Sequence, residues 1–265
     1  MVSWFSRRVA GFNWPGVTTL VAILAVWQLL VSTKIINYGP LPGPIGIWSG
    51  LKYLAGSGGG LWGAVGHTLK CVVLAWGIAV GLGASLGILV ALNREVASWA
   101  GATVDLFRSL PVIALIPIAI LIWGTGSKTE IILGAYAGLW PMLMNSAGGV
   151  SSVPPALGDV ARMLGLSRIA TVRKIILPAT AASILVGARL ALATTLVICV
   201  VAEILGLQSG IGNQLVLEQQ GGQNARYWAY VLVIGTLGIL VNFVLVRLVR
   251  ILFPGISASS ERSLA

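Results

Sequence analysis

Residues 72–92 form a run of 21 positions without one charged side chain. A helix rises about 1.5 Å per residue, so this run covers about 30 Å, the depth of a bilayer's hydrocarbon layer. In a soluble domain such a helix needs apolar cover on every side. The rest of the chain is no more polar: of 265 residues 57% are hydrophobic and 9% charged, and mean hydropathy is +0.95. A chain of this size has too much surface to hide that many apolar side chains from water. The soluble classes are excluded, and an all-α, polytopic membrane protein remains.

Five further segments approach the roughly 20 apolar residues that a crossing needs. They are residues 17–33, a stretch within 109–127 that holds Pro111 and Pro117, a stretch within 131–153 that stops before Pro154-Pro155, residues 179–205, and residues 227–246. The first is read as a retained span, since its apolar part is long and no small-x-small cleavage site follows. Six transmembrane helices result, as one membrane domain over residues 17–252. Residues 1–16 precede it and 253–265 form a tail.

Loop charge orients the chain. With the N-terminus in the cytoplasm, the inner segments hold Arg7, Arg8, Arg94, Arg108, Arg162, Arg168, Arg173, Lys174, Arg247, Arg250 and Arg262, which is 11 of the 17 basic residues. The outer segments hold Lys34, Lys52, Lys70, Lys128 and Arg226, and Arg189 lies inside the fifth span. Both termini are therefore expected in the cytoplasm. The net charge of +10 records this topology and contact with anionic headgroups. No basic run interleaved with aromatics points to nucleic acid.

Glycines recur four residues apart at Gly77 and Gly81, Gly83 and Gly87, and Gly134 and Gly138. This spacing lets helix backbones approach closely, and packing within one subunit is the expectation. Trp4, Trp14, Trp62, Trp99 and Trp228 fall near span boundaries, where indole rings are favoured. Trp76 and Trp140 fall inside apolar segments and are expected to pack.

The longest inner loop, residues 153–178, is too patterned for a linker. Leu157, Val160, Ala161 and Leu164 share one helical face, with Asp159 and Arg162 opposite. Gly165 interrupts, Ser167 is a candidate N-cap, and Ile169, Val172, Ile175 and Ile176 form a second stripe before Pro178. From periodicity alone, this helix–glycine–helix unit is either an amphipathic hairpin on the membrane face or a knob that docks on a soluble partner.

The loop resembles the cytoplasmic signature of ABC importer permeases, whose pattern is Glu-Ala-Ala, three residues, Gly, nine residues, Ile-x-Leu-Pro. Here stand Asp159-Val160-Ala161, then Gly165, then Ile175-Ile176-Leu177-Pro178, with every spacing kept. Asp159 replaces Glu on a shorter arm and Val160 replaces the first Ala. The resemblance implies a type I importer permease fold, with the first short helix (Asp159, Val160, Ala161, Arg162, Leu164) seated in a groove of an ATPase subunit. Gly165 would make the turn, and Ile175, Leu177 and Pro178 would join the unit to the fifth span. It also implies two ATPase subunits holding ATP and magnesium, a second permease copy, and a periplasmic or lipid-anchored binding protein.

Other segments are similar to the branch for nitrate, sulfonate, taurine and bicarbonate. They are Leu41-Pro42-Gly43-Pro44, Phe107-Arg108-Ser109-Leu110-Pro111 with Ala114, Pro117 and Trp123-Gly124, Trp140-Pro141 with Asn145, Gly187-Ala188-Arg189-Leu190-Ala191, and Ala202-Glu203. Cys71 departs from the branch, whose members often carry Arg there. A small inorganic anion or sulfonate-like organic acid is the substrate class this resemblance implies.

Arg189 and Glu203 are charges inside a span, where each costs about 2.5–3.5 kcal/mol. They stand 14 residues apart, about 21 Å along a helix, so they do not pair with each other. Each either finds a partner on a neighbouring helix or faces the substrate path. Asn145, Ser146, Thr194 and Thr195 are further path candidates, and interhelical hydrogen bonding is the alternative for each. Met142 and Met144 are expected to pack. His67 is the one histidine, and Cys71 and Cys199 sit in apolar stretches without zinc or disulfide spacing, so no metal site and no cofactor are expected. There is no G-x-x-x-x-G-K-[ST] phosphate loop and no catalytic set, so no enzyme activity is expected of this chain. The rival class is an ion-coupled secondary carrier or channel, which predicts buried carboxylates near the midplane, with Glu203 as candidate. A plain scaffold would not need the ordered inner loop.

Overall fold

The structure is a computed structural model that describes residues 14–35, 39–56 and 60–252. Arg7, Arg8 and Trp4 at one end, and the tail 253–265 with Arg262, lie outside the described residues. Among the described residues every regular element is helical. The helices are α1 (Trp14–Ser32), α2 (Pro44–Ala55), α3 (Leu61–Leu92), α4 (Arg94–Ser109), α5 (Val112–Trp123), α6 (Ser127–Ser151), α7 (Pro155–Met163), α8 (Arg168–Thr171), α9 (Leu177–Leu205), α10 (Ile211–Gln220) and α11 (Asn224–Leu252). A π-helical turn, Val172–Ile176, joins α8 to α9. Contacts divide the chain into two compact units, one of residues up to Gly59 with Glu218–Ala229, the other of Gly60–Leu217 and the residues from Tyr230 onward.

In the first unit, α1 is mostly apolar and buries no residue, as befits a helix facing lipid. Gln28 reaches from α1 to accept a hydrogen bond from Ile45 N–H, 3.1 Å, at the start of α2. A helix leaves its first N–H groups without intrahelical partners, and this one is supplied by a side chain in place of water. Gly50 of α2 lies against the Ala225 carbonyl, where a methyl group would stand 2.5 Å from the oxygen. Trp228 Nε1 donates to Pro40 O (2.9 Å), and Arg226 pairs with Glu218 at 2.8 Å while lying over the Tyr53 ring.

The core of the second unit is α3, α6 and α9. Small residues set their spacing. A Cβ on Gly87 would meet Leu143 O at 2.4 Å, and one on Gly138 would meet Thr195 Oγ1 at 2.5 Å. Thr195 Oγ1 donates to Gly134 O (3.0 Å), a bond possible only because α6 bares its backbone there. Gly83, Gly87, Gly134 and Gly138 thus pack within the subunit as expected, whereas Gly77 and Gly81 meet open space. Trp76 packs across α9 and donates to Ala188 O (2.8 Å). Ile116 and Ala119 of α5 close one side against Leu133, Ala137, Ile198 and Ala202.

The described helices bear out part of the expected span count. Among the described residues four helical runs are long and apolar enough to cross a membrane, Trp14–Ser32, Leu61–Leu92, Arg168–Leu205 and Asn224–Val249, and the bent α4–α5 pair makes a fifth if taken as one span. The third expected span is not one straight helix. Leu110 precedes Pro111 and is forced into an extended conformation, so α4 and α5 meet at 83°. At 12 residues α5 is only about 18 Å long. Helix α6 is long enough at 25 residues, but its sequence is thinned of large apolar groups because so much of it faces protein. The second span begins 11 residues earlier than its charge-free run, since Lys70 lowers hydropathy without breaking a helix.

Gly87→Ala is expected to destabilise the folded chain by about 1–3 kcal/mol, since the new methyl meets backbone. Gly77→Ala, into open space, should leave stability unchanged or raise it by up to about 1 kcal/mol. Thermal unfolding of the two variants in detergent checks the contrast.

Candidate functional site

The inner loop folds as a capped turn between two helices. Pro155 opens α7, where its missing N–H costs nothing. At the other end Leu166 N–H donates to Ala161 O and Gly165 N–H to Arg162 O, both 3.0 Å. These two bonds are a Schellman motif, which needs a left-handed residue after the helix. Gly165 supplies it with φ +61°. Ser167 then caps α8 by accepting from Ala170 N–H (3.3 Å), as its position predicts.

The junction to α9 has its own cause. Proline cannot donate a backbone bond, and its ring collides with the carbonyl four residues back. The turn before Pro178 widens to π geometry, with Leu177 N–H bonded to Val172 O five residues earlier. The result is one helical run, Arg168–Leu205, in which Ile175, Leu177 and Pro178 sit at the widened turn.

What α7 presents is unusual for a loop beside water. Asp159 pairs with Arg162 on an exposed face. Ala161 is buried, but Met163 is 87% exposed, Leu164 66% and Ile169 81%, and Val160 is also exposed. Apolar groups standing around a tight turn form a surface that a partner's groove can cover.

A second polar arrangement lies at the far end of α9. Glu203 is 1% exposed, and both its oxygens are engaged. Thr68 Oγ1 of α3 donates to Oε1 at 2.7 Å, and Gly212 N–H donates to Oε2 at 2.8 Å. Thr68 Oγ1 also accepts from Ile211 N–H at 3.0 Å. The first free N–H groups of α10 are thus held by α3 and α9 together. Gly210 has φ +95°, and a Cβ there would lie 1.8 Å from Glu203 Oε1, so only glycine admits this approach. Sequence reasoning overlooked Glu130, which is fully buried on the first turn of α6 and bonds His67 at 3.1 Å. Its segment reads as an outer loop because Lys128 stands beside it.

The other path candidates separate. Ser146 and Thr195 are buried between helices, and Asn145 Nδ2 bonds Pro141 O (2.7 Å). Arg189 is exposed, and its Nε donates to Asn242 Oδ1 of α11 at 2.8 Å. Thr194 lines an open groove with Arg108, Pro111, Trp140 and Val197, where α5, α6 and α9 meet. Arg108 was assigned to a loop by its charge, and the α4–α5 break carries it into this groove. Met142 is buried in the α6–α9 contact, as expected.

Residues 79–258 match the family described as the binding-protein-dependent transport system inner membrane component. A Bacillus subtilis (strain 168) protein named as an aliphatic sulfonates transport permease is 28% identical over 232 residues, covering 87% of this chain and 84% of that protein. A nitrate import permease of Leptolyngbya laminosa is 27% identical over 232 residues, covering 86% and 83%. The fold is shared with the MetNI methionine ABC transporter in an inward-facing conformation, at TM-score 0.64 and 21% identity, covering 74% of this chain and 98% of that one.

Thr68→Val keeps the side chain's shape and removes both bonds to the α9–α10 corner. It should cost about 1–3 kcal/mol, the penalty for leaving buried polar groups unpaired. Amide exchange at Ile211 and Gly212 should accelerate in step with the drop in melting temperature.

Proposed function

Because this chain belongs to the binding-protein-dependent transport system inner membrane component family, we propose that it forms half of the substrate path of an ATP-driven importer and that α7 is where an ATPase subunit docks. The observation that carries the reading is the α7–α8 turn. Its spacing matches the family's coupling signature, and Met163, Leu164 and Ile169 stand exposed around a glycine-set bend. ATP hydrolysis belongs to the partner subunits.

The continuous run from Arg168 to Leu205 gives the docked helix a stiff lever into the membrane. ATPase closure would move α7, and with it α9 and the helices packed on it. Six crossings with both termini in the cytoplasm fit this role, counting the bent α4–α5 pair as one and α6 as another. One subunit supplies half a path, so a second copy pairs with it, and a periplasmic or lipid-anchored binding protein delivers the solute.

The substrate class is a small anion such as nitrate, bicarbonate, taurine or another sulfonate-like organic acid. Named relatives for sulfonates and nitrate support it. The groove that Thr194 lines also holds Arg108, whose guanidinium pairs with Asp105 at 2.8 Å, and is otherwise apolar. The carrier alternative is weaker. Glu130 and Glu203 are buried, but both sit in a terminal turn of their helices, away from the midplane.

Leu164→Glu places a charge on the docking knob without touching the helix core. Co-purification of the ATPase subunits and ATP-dependent uptake should both fall by tenfold or more, a loss of about 1.4 kcal/mol of docking energy. The melting temperature of the permease should stay unchanged. Full ATPase recovery with normal uptake would sink the assignment.

A further inference from the structure

The His67, Cys71 and Glu130 side chains converge at the same end of the core as Glu203. His67 and Cys71 are one helical turn apart on α3, and Glu130 faces them from the first turn of α6. His67 Nε2 lies 3.1 Å from Glu130 Oε2 and 3.7 Å from Cys71 Sγ. One ligand atom from each of the three falls within 4.8 Å of the others.

We propose that these three residues bind a zinc ion that fastens α3 to α6. Three arguments converge. The first is spacing. Zinc bonds of about 2.0 Å to nitrogen and oxygen and 2.3 Å to sulfur, at tetrahedral angles, put N and S about 3.5 Å apart and N and O about 3.3 Å apart. The observed N–S and N–O separations are 3.7 and 3.1 Å, and all three ligand atoms lie within 4.8 Å of one another, so a small inward shift of the side chains completes the set.

The second is the unmet demand of Glu130. Its carboxyl is fully buried, and Oε1 has no hydrogen-bond partner in normal geometry. Glu203, by contrast, has both oxygens satisfied by Thr68 and Gly212. Among the described residues no lysine or arginine pairs with either acid. Glu130 Oε1 therefore keeps a free position beside a thiol and an imidazole, where an ion can be shared. Within the three ligands, one dication, one thiolate, one carboxylate and a neutral imidazole sum to zero charge. Coordination releases the Cys71 thiol proton to solvent.

The third is access and ligand type. His67 keeps 26% of its side-chain surface open, so an ion can reach the site. A mixed sulfur, nitrogen and oxygen set favours zinc over magnesium or calcium, which take oxygen. Cys199 does not belong to the set. Its thiol points to the Glu130 backbone carbonyl, at 3.9 Å.

The full-length chain in lipid nanodiscs, stripped with chelator and dialysed against Zn2+, tests this. About one ion per chain should be retained, and Zn2+ should raise the melting temperature. Co2+ in place of zinc should show a sulfur-to-metal charge-transfer band. Cys71→Ser and Glu130→Gln should each weaken binding by roughly tenfold or more, and Cys71→Ser should abolish the cobalt band. Cys199→Ser should change neither. No retained zinc and no thermal shift in the unaltered chain would overturn the proposal without need of any variant. A cobalt–thiolate band that survives Cys71→Ser, or full affinity in Glu130→Gln, would overturn the ligand set.

Discussion

At Gly138 the backbone of α6 comes so near α9 that a methyl group would stand 2.5 Å from Thr195 Oγ1, and at Gly87 α3 presses as closely on the Leu143 carbonyl. Lipid is as apolar as leucine, so burying apolar surface does not draw helices together in a membrane. Contact has to come from close packing and from polar groups that find partners only in one another. Gly134 and Gly138 bare the α6 backbone, Thr195 bonds to it, and three helices become one body. Helix α5 packs on this body, and the start of α10 is bonded to it.

One helical run carries that body's geometry from end to end. It starts at Arg168 beside the Gly165 turn, widens at the π turn to accommodate Pro178, and ends at Leu205 beyond Glu203. The docking surface proposed at one end and the buried carboxyl at the other therefore belong to the same rigid element. Glu203 spends both oxygens on fixing α3 and α10 to that element. Its burial fits a positioning role in the corner between α9 and α10. This use of a membrane carboxylate differs from ion coupling, where the group must change partners during a cycle.

The α7–α8 turn was legible because its determinants are local. Gly165 takes a left-handed conformation, Ser167 caps the next helix, and Pro178 disturbs the turn before it, all within a few residues of chain. The groove and the polar cluster were not legible for the opposite reason. Arg108 reads as a loop charge until Pro111 bends the chain by 83°. Glu130 reads as an outer-loop acid beside Lys128 until α6 is seen to start at Ser127 and to bury its first turn against α3. The spacing of His67 and Cys71, four residues on one helix face, was visible, but a pair at that spacing is too common to mark a site without its third member.

The sequence by itself determined that this chain is a helical membrane protein with a helix–glycine–helix unit, whose spacing resembles the importer permease signature. Hydrophobic length, charge and turn chemistry act over short stretches and need no tertiary contact to be read. Only the tertiary structure decided which buried groups meet. Thr68 with Glu203 is a pairing across 135 residues, and His67 with Glu130 one across 63. Such partners are chosen by the way glycine-lined helices settle against each other, and no local rule of sequence contains that choice.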